Sequence, residues 1–272
     1  MLPLVHVIIV THNSAKEIKL CLRSLEAQDH AVNSITIVDS GSDDTSYLGS
    51  IDKRVATVIK SENVGFAKAN NIGFRALRLE PDDIIVFLNP DAFLQKNSIG
   101  EMLKMYTKDK SIGCVTGKLL GYDLVGEKST GLIDSTGIFR KWYGRWYDRG
   151  QGENDRGLYN VEEVVPAICG AFMCCNMRAL DAFDGQIFDP SFFMYKEDIE
   201  LSLRLRKNGW KLLYSPVIEI YHCRGWNKDR SSVSYAMRLC SAENEVKMYV
   251  KHPSFYVVWA VTKYLAVRLF RM

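Results

Sequence analysis

Two adjacent carboxylates, Glu197 and Asp198, stand at the start of a predicted amphipathic helix and directly follow an aromatic run. The positive end of a helix dipole stabilises carboxylates at this position. If the pair lines a cleft, one carboxylate can take a proton as a general base and the other can bind a hydroxyl group. If the pair points into water, it only caps the helix. The residue types alone leave both interpretations open.

A second set of residues could hold a divalent cation. Asp91 follows a predicted buried strand in the sequence Asn89-Pro90-Asp91, and His222 ends a later segment of alternating polarity. Mg²⁺ prefers oxygen ligands, whereas Mn²⁺ also accepts an imidazole nitrogen. One aspartate and one histidine, together with two phosphate oxygens of a bound diphosphate, would suffice for either ion. A structural role for His222 is the alternative.

Other polar residues suggest a nucleotide site. Asp39 ends a predicted strand and could accept hydrogen bonds from a base or a ribose, or could bond only to its own turn. Residues 63–73 combine Asn63, Gly65 and Asn70 with small side chains near a helix N-terminus, which favours an anion. The small residues could equally serve tight helix–sheet packing. Neither G-x-G-x-x-G nor G-x-x-x-x-G-K-[ST] occurs, which argues against a standard dinucleotide fold and a P-loop NTPase.

Strand and helix patterns alternate through the first hundred residues, which predicts an α/β fold with βαβ units and a mostly parallel sheet. Ligands of such sheets bind beyond the carboxyl ends of the strands, where Thr11, Asp39 and Asp91 fall. The predicted strands are residues 5–10, 34–38, 55–59, 84–88 and 112–116, and the predicted helices are residues 15–28, 67–79 and 98–106.

Two later stretches have a different character. Residues 117–163 are rich in glycine, tyrosine and tryptophan and have weak periodicity, which predicts an irregular binding loop or lid, or else a surface excursion. The C-terminal tail shows two helical patterns. The second, residues 255–270, is mostly apolar but carries Lys263 and Arg268, with Arg271 just beyond it. Such a helix can lie on a membrane surface, or it can pack on the core or on another subunit.

The composition excludes some classes of protein. The 35 basic residues nearly balance the 32 acidic ones, which gives no support for a nucleic-acid-binding protein. Seven scattered cysteines without a C-x-x-C pair indicate reduced thiols in a cytosolic protein. Because no uncharged apolar stretch reaches about 18 residues, we predict no transmembrane helix.

Six motifs, in order, resemble those of family 2 glycosyltransferases. The resemblance covers about residues 4–225. It implies the GT-A fold, with a mostly parallel central sheet flanked by helices, and inversion at the anomeric carbon of the sugar. Within the family the chain looks most like bacterial rhamnosyltransferases that build O-antigen or other cell-surface polysaccharide. The motifs are Val7-Ile8-Ile9-Val10-Thr11-His12-Asn13, Val38-Asp39-Ser40-Gly41-Ser42-Asp43-Asp44, Asn63-Val64-Gly65-Phe66 with Asn70-Asn71-Ile72-Gly73, Leu88-Asn89-Pro90-Asp91, Gly170-Ala171-Phe172-Met173 and Phe192-Phe193-Met194-Tyr195-Lys196-Glu197-Asp198.

The resemblance also implies roles for individual residues. Asp198 matches the catalytic base, and Glu197 matches a carboxylate that binds the acceptor. Asp91 matches the last carboxylate of the D-x-D metal motif, whose first position is here the uncharged Asn89, and His222 matches the histidine that completes the metal site. The implied cofactor is Mg²⁺ or Mn²⁺. The residues implied in donor binding are Thr11, Asn13, Asp39, Asn63, Gly65, Asn70, Asn89, Asp91 and Arg224.

The same resemblance implies a dTDP- or UDP-sugar donor, with dTDP-L-rhamnose as the best match, and a lipid-linked saccharide acceptor. It predicts a cytoplasmic enzyme, peripheral on the cytoplasmic face of the inner membrane, and leaves oligomerisation open. We predict a GT-A domain over residues 1–225 and a helical tail over residues 226–272. Within that domain, residues 1–116 would bind the nucleotide sugar, and residues 117–225 would bind the acceptor and carry catalysis.

Two other functions fit parts of the sequence. A non-catalytic nucleotide-sugar-binding protein would need Asp39 and Asp91 but not Asp198. A nucleotidyltransferase could be built on a related α/β sheet, but the chain lacks a glycine-rich loop with Arg or Lys after its first strand.

Overall fold

The structure, a computed structural model, describes residues 3–223 and 233–271. Strands and helices alternate through these residues, and most strands join one ten-stranded sheet. The strands are β1 (Val5–Thr11), β2 (Ser34–Ser40), β3 (Thr57–Ser61), β4 (Ile84–Leu88), β5 (Ala92–Leu94), β6 (Ile112–Asp123), β7 (Lys128–Ser135), β8 (Ile138–Arg140), β9 (Trp146–Asp148), β10 (Glu163–Val164), β11 (Phe172–Asn176) and β12 (Lys211–His222). The helices are α1 (Glu17–Glu26), α2 (Phe66–Arg75), α3 (Ser98–Lys108), α4 (Met177–Leu180), α5 (Glu197–Lys207), α6 (Tyr235–Lys251) and α7 (Val257–Phe270).

One half of the sheet is parallel and contains the strands predicted from the first ninety residues. Its order is β4-β1-β2-β3, with β1 paired in parallel to both β4 and β2. Every residue of β1 and β4 is buried, as expected for apolar strands covered by helices on both faces. The predicted α/β class is therefore confirmed. The carboxyl ends of β1, β2 and β4 meet at one edge of the sheet.

The other half of the sheet is mixed. Strand β11 lies antiparallel between β4 and β6, and β12 runs parallel to β6. The short strand β5 pairs antiparallel with the end of β12, so that His222 lies opposite Ala92. This register brings His222 next to Asp91, although 131 positions separate them in the sequence. The segment of alternating polarity that ends at His222 is part of β12.

The prediction of an irregular segment at residues 117–163 was wrong in part. Strand β6 continues through Asp123 and is followed by β7, β8, β9 and β10. The glycines here suggested a loop, but Gly117 lies inside β6 against a bulge of β12. A Cβ at this position would lie 2.2 Å from the backbone oxygen of Ile218. Glycine inside a strand here marks a close approach of two backbones.

Both helical patterns of the C-terminal tail are confirmed. Met248 and Tyr249 of α6 and Ala260 of α7 belong to the same hydrophobic core as the central strands. Much of the remaining surface of α7 is exposed and apolar. Within residues 3–223 and 233–271, none of the helices combines the length and the hydrophobicity needed to cross a membrane. The proposed domain boundaries stay predictions.

Candidate active site

A cavity of about 480 Å³ opens at the carboxyl ends of β1, β2 and β4. Five of the residues predicted to bind the donor line it, namely Asn13, Asn63, Gly65, Asn89 and Asp91. The remaining lining residues are Val10, His12, Ser14, Glu17, Ser40, Phe66, Pro90, Phe193 and Met194. The strand ends and the segment before α5 therefore surround one space, as the topology of an α/β sheet predicts.

Three other predicted donor residues are buried in the structure that supports this cavity. The hydroxyl oxygen of Thr11 lies 3.0 Å from that of Tyr47. Asp39 accepts hydrogen bonds from the hydroxyl and the backbone N–H of Ser42. The side chain of Asn70 donates to the carbonyl of Phe66. These contacts stabilise the strand-end turns and the first turn of α2, and a direct role in donor binding stays a prediction for all three. Arg224 lies outside the described residues.

Gly65 brings the start of α2 against the segment of residues 192–196. Its φ is +81°, and a Cβ would lie 2.4 Å from the carbonyl oxygen of Phe193. The backbone N–H of Phe66 donates to that same carbonyl over 2.8 Å. Because only glycine allows both the left-handed backbone and the close approach, Gly65 joins this cavity to the segment that leads into α5.

Glu197 and Asp198 form the first two residues of α5, as predicted. Asp198 is half-buried, and its two carboxylate oxygens accept hydrogen bonds from the backbone N–H groups of Gly170 (3.0 Å) and Ile199 (2.8 Å). The side chain of Glu197 is buried, and within the described part of the chain its Oε2 has no hydrogen-bond partner. The two neighbours therefore occupy different environments.

These environments shift both carboxyl groups in the same direction. Burial, reinforced by the charge of Asp198, raises the pKa of Glu197 to about 8. Burial also raises the pKa of Asp198, although the N–H of Gly170 opposes this shift by stabilising the carboxylate. At neutral pH Glu197 is mainly protonated and can donate a hydrogen bond. Two carboxyl groups with separate tasks are a recurring arrangement in enzymes that move protons.

The buried carboxyl of Glu197 makes the stability of the fold depend on pH. Its pKa rises from an ordinary 4.5 in the unfolded chain to about 8 in the folded one, so between these values the folded state holds a proton that the unfolded state has released. The stabilisation is complete below the lower value and is lost as the pH rises through the upper one. We expect Glu197→Gln, which cannot ionise, to unfold at a higher temperature than the wild type at about pH 9 and at a similar temperature at about pH 4. Thermal unfolding across pH measures this difference, and a difference that does not change with pH would contradict it.

Asp91 and His222 lie side by side at the edge of the cavity. The Nε2 of His222 is 3.3 Å from Oδ1 of Asp91, and its Nδ1 is 2.8 Å from Oδ2 of Asp134. Burial opposes protonation of the imidazole, but the charge of Asp91 and the hydrogen bond that His222 donates to Asp134 outweigh it and raise the pKa of His222 to about 9. This position therefore attracts positive charge.

The same residues fit a divalent cation. Two neighbouring ligands of an octahedral ion, each at about 2.1 Å, lie about 3 Å apart, close to the separation of Asp91 and His222. If His222 donates its Nδ1–H to Asp134, the lone pair of Nε2 points towards Asp91, an orientation common in metal-binding histidines. Among the described residues, no group of three or more His, Cys, Asp or Glu side chains could hold an ion alone. The remaining ligands would therefore be oxygens of a bound diphosphate and water.

Sequence reasoning did not assign a role to Asp134. It lies at the end of β7, is fully buried, and is 88 positions from His222 in the sequence. His12 was also missed as a candidate, although it stands between two residues that were named. Its Nδ1 is 2.9 Å from the carbonyl oxygen of Ser40, which joins the ends of β1 and β2 at the cavity.

Comparison with known proteins identifies the family. A sequence model described as "Glycosyl transferase family 2" matches residues 6–173. Rhamnosyltransferase WbbL of Escherichia coli K12 is 28% identical over 247 residues, which cover 86% of this chain and 89% of WbbL. The N-acetylglucosaminyl-diphospho-decaprenol L-rhamnosyltransferase of Mycobacterium tuberculosis is 24% identical over 247 residues, which cover 84% of this chain and 79% of that protein.

Two solved structures share the fold. A crystal structure of GalNAc-T7 with UDP, GalNAc and Mn²⁺ superposes with a TM-score of 0.73 at 17% identity, covering 98% of this chain and 50% of that chain. The mannosyltransferase PcManGT from Pyrobaculum calidifontis, in complex with GDP-Man and Mn²⁺, superposes with a TM-score of 0.60 at 17% identity, covering 99% of this chain and 76% of that one. The predicted GT-A fold is confirmed. Because the family pattern extends from β1 into β11, over more than half of the sequence, the chain belongs to family 2 of the glycosyltransferases.

Proposed function

We propose that this glycosyltransferase moves L-rhamnose from dTDP-L-rhamnose to a hydroxyl group of a lipid-diphosphate-linked saccharide, with inversion at the anomeric carbon. The rhamnosyltransferase names of the two curated relatives support the choice of sugar. The name of the Mycobacterium tuberculosis relative supports a lipid-diphosphate acceptor that carries N-acetylglucosamine. One structural observation carries the catalytic part of the proposal. Phe193 and Met194 line the cavity, and they belong to the short segment that leads directly into Glu197 and Asp198.

In the proposed reaction Asp198 removes the proton from the acceptor hydroxyl while the hydroxyl oxygen attacks the anomeric carbon. The bond between that carbon and the nucleoside diphosphate breaks in the same step, and the diphosphate leaves. Glu197, protonated at neutral pH, donates a hydrogen bond that holds the acceptor. Asn63 and the N-terminal turn of α2 lie where they can bind the diphosphate. Asp91 and His222 would hold Mg²⁺ or Mn²⁺, which when bound neutralises charge on the leaving diphosphate.

A donor screen tests the substrate. Purified protein is incubated with dTDP-L-rhamnose, UDP-N-acetylglucosamine or GDP-mannose and with a short-chain polyprenyl-diphosphate-linked N-acetylglucosamine, and the released nucleoside diphosphate and the product mass are measured. We expect a rhamnosylated product only with dTDP-L-rhamnose. Transfer from another donor would contradict the choice of rhamnose but not the glycosyltransferase assignment. Release of nucleotide without any glycosylated product would contradict the proposed acceptor.

We further propose that the enzyme is peripheral on the cytoplasmic face of a bacterial inner membrane and that α7 contacts anionic lipid. Val258, Val261, Leu265 and Leu269 recur along one side of this helix and are 39–69% exposed. Residues 252–271 contain no Asp or Glu, and the side chains of Arg268 and Arg271 are exposed. An exposed apolar stripe whose charged neighbours within residues 252–271 are all basic has the character of an interfacial helix.

Lipid binding by α7 predicts a specific loss in a double variant. Val261→Glu combined with Leu265→Glu places two carboxylates in the apolar stripe. We expect the affinity for vesicles of anionic phospholipid, measured by co-sedimentation, to fall at least about tenfold. Val125→Glu is the matched control, because Val125 is 96% exposed in the turn between β6 and β7. It should bind vesicles like the wild type. Wild-type protein that does not bind, or a double variant that binds equally well, would contradict the proposal.

A further inference from the structure

The turn directly before Glu197 adopts a backbone conformation that is intrinsically unfavourable for its residues. Tyr195 and Lys196 have φ angles of 74° and 73°, and they are the only two consecutive non-glycine residues with positive φ in the described part of the chain. Side chains disfavour the left-handed region, so such residues persist only where contacts from outside the turn hold them. Because Lys196 immediately precedes α5, the conformation of this turn determines where Glu197 and Asp198 lie.

The backbone carbonyls of this turn are bound from two sides. On the side of the donor cavity, the N–H of Phe66 donates to the carbonyl of Phe193. On the opposite side, the amide nitrogen of Asn244 donates to the carbonyls of Met194 (2.9 Å) and Tyr195 (3.1 Å). Three successive carbonyls are thus bound by α2 and α6. The thiol of Cys240 of α6 also donates to the carbonyl of Met194 over 3.4 Å, whereas Asn244 binds both Met194 and Tyr195.

Asn244 is well suited to this task. Its side chain is 3% exposed, and its Nδ2 uses its two hydrogens on two different carbonyls. Its Oδ1 accepts a hydrogen bond from Lys247 over 3.3 Å, which fixes the orientation of the amide. A buried amide with all these contacts made favours one geometry strongly, since any displacement leaves a polar group unpaired.

We propose that Asn244 is a positioning residue, which holds the turn at residues 194–196 so that Glu197 and Asp198 keep a fixed relation to the donor cavity. The inference rests on the proposed catalytic role of that pair. It gives α6 a part in the reaction, although this helix lies beyond the residues that the family pattern matches. Met194 lines the cavity and accepts from Asn244, so the same contact links the donor site and the carboxylates.

Two variants remove the contact in different ways. Asn244→Ala deletes the donor, and Asn244→Asp keeps the size of the side chain but turns a carboxylate towards two carbonyls. In both we expect kcat to fall about 10- to 100-fold, because a displacement of about 1 Å at the reacting groups has an effect of this size. The dissociation constant of the donor should stay within about threefold of the wild-type value, since most of the cavity wall belongs to the strand ends. A donor-binding stoichiometry near one, as in the wild type, would show that the variants are folded.

Lys251→Ala is the matched control. Lys251 also joins α6 to the segment before α5, but through an ion pair with Asp189, which lies five positions before Met194 in the sequence. It should retain wild-type kcat. Hydrogen exchange gives a readout that does not depend on turnover. In the Asn244 variants the backbone amides at the start of α5 should exchange faster than in the wild type, while the amides of α2 should exchange at the wild-type rate. In Lys251→Ala the amides of both helices should exchange at the wild-type rate.

Three results would overturn the inference. One is a kcat in both Asn244 variants within twofold of that of Lys251→Ala. Another is a fall in turnover no larger than the fall in donor-binding stoichiometry, because this would show that Asn244 has a purely structural role. The third is unchanged exchange at the start of α5. A wrong assignment of Asp198 as the catalytic base would be recognised by a different result, because Asp198→Asn would then retain its turnover.

Discussion

Replacing Asp198 by asparagine should abolish sugar transfer while leaving the fold and donor binding intact. Asparagine has nearly the same shape, and its single amide oxygen can still accept one of the two hydrogen bonds that Gly170 and Ile199 donate to the two carboxylate oxygens of Asp198. It cannot take a proton from the acceptor hydroxyl. Since general base catalysis contributes about 10² to 10⁴ in rate, we expect kcat to fall by a factor in that range, measured as rhamnosylated product formed under saturating donor and acceptor.

Glu197→Gln is the informative comparison for this variant. The buried carboxyl of Glu197 has a pKa of about 8 and is mainly neutral at pH 7, so glutamine preserves its charge and a hydrogen-bond donor. We therefore expect Glu197→Gln to keep most of its turnover and to change mainly the KM for the acceptor. If Asp198→Asn turned over at nearly the wild-type rate, Asp198 would not be the base. If Glu197→Gln lost turnover as completely, the division of roles between the two carboxyl groups would be wrong.

The pH dependence of the wild-type enzyme follows from the same environment. A general base works in its deprotonated form, so kcat should rise with pH through the pKa of Asp198. Burial raises that pKa, and therefore the rise should occur above the range of an exposed aspartate. The proposed mechanism is contradicted if kcat is already at its plateau at a pH where exposed aspartates titrate.

Local sequence patterns predicted the part of the site that lies at strand and helix ends. The continuous apolar runs of β1 and β4 indicated buried parallel strands, and the polar residues after them had to meet at one edge of the sheet. The start of α5 at Glu197 also followed from the change from an aromatic run to an amphipathic pattern. These features depend on residues that are neighbours in the chain, so their periodicity carries the information.

Contacts between distant segments were not predictable in the same way. Asn244 is 49 and 50 positions from the two carbonyls that it binds, and nothing in the local sequence of α6 marks it as different from any other polar helix residue. The extension of β6 was missed because Gly117 breaks the strand pattern, whereas in the fold it makes room for the bulge of β12. In each case the function of the residue is determined by its partner, which only the folded chain supplies.

Asp91→Ala should uncouple donor binding from divalent cations. In the wild type, Asp91 and His222 would provide two ligands beside the donor diphosphate, so we expect the donor to bind at least about tenfold more weakly when a chelator removes Mg²⁺ or Mn²⁺. In Asp91→Ala the donor should bind weakly with or without the ion, because His222 alone cannot hold it. Calorimetric titration with the donor, in the presence of Mn²⁺ or of chelator, measures all four combinations.

Asn89→Asp is the matched gain-of-function variant for this site. Asn89 lines the same cavity, and an aspartate there would add a second carboxylate near Asp91. Because hard cations bind more tightly as the number of charged oxygen ligands grows, we expect Asn89→Asp to respond to lower concentrations of Mn²⁺ than the wild type. Donor affinity that is the same with and without chelator in the wild type and in Asp91→Ala would remove Asp91 from the site. The buried pairing of His222 with Asp134 would then be left with a structural role only.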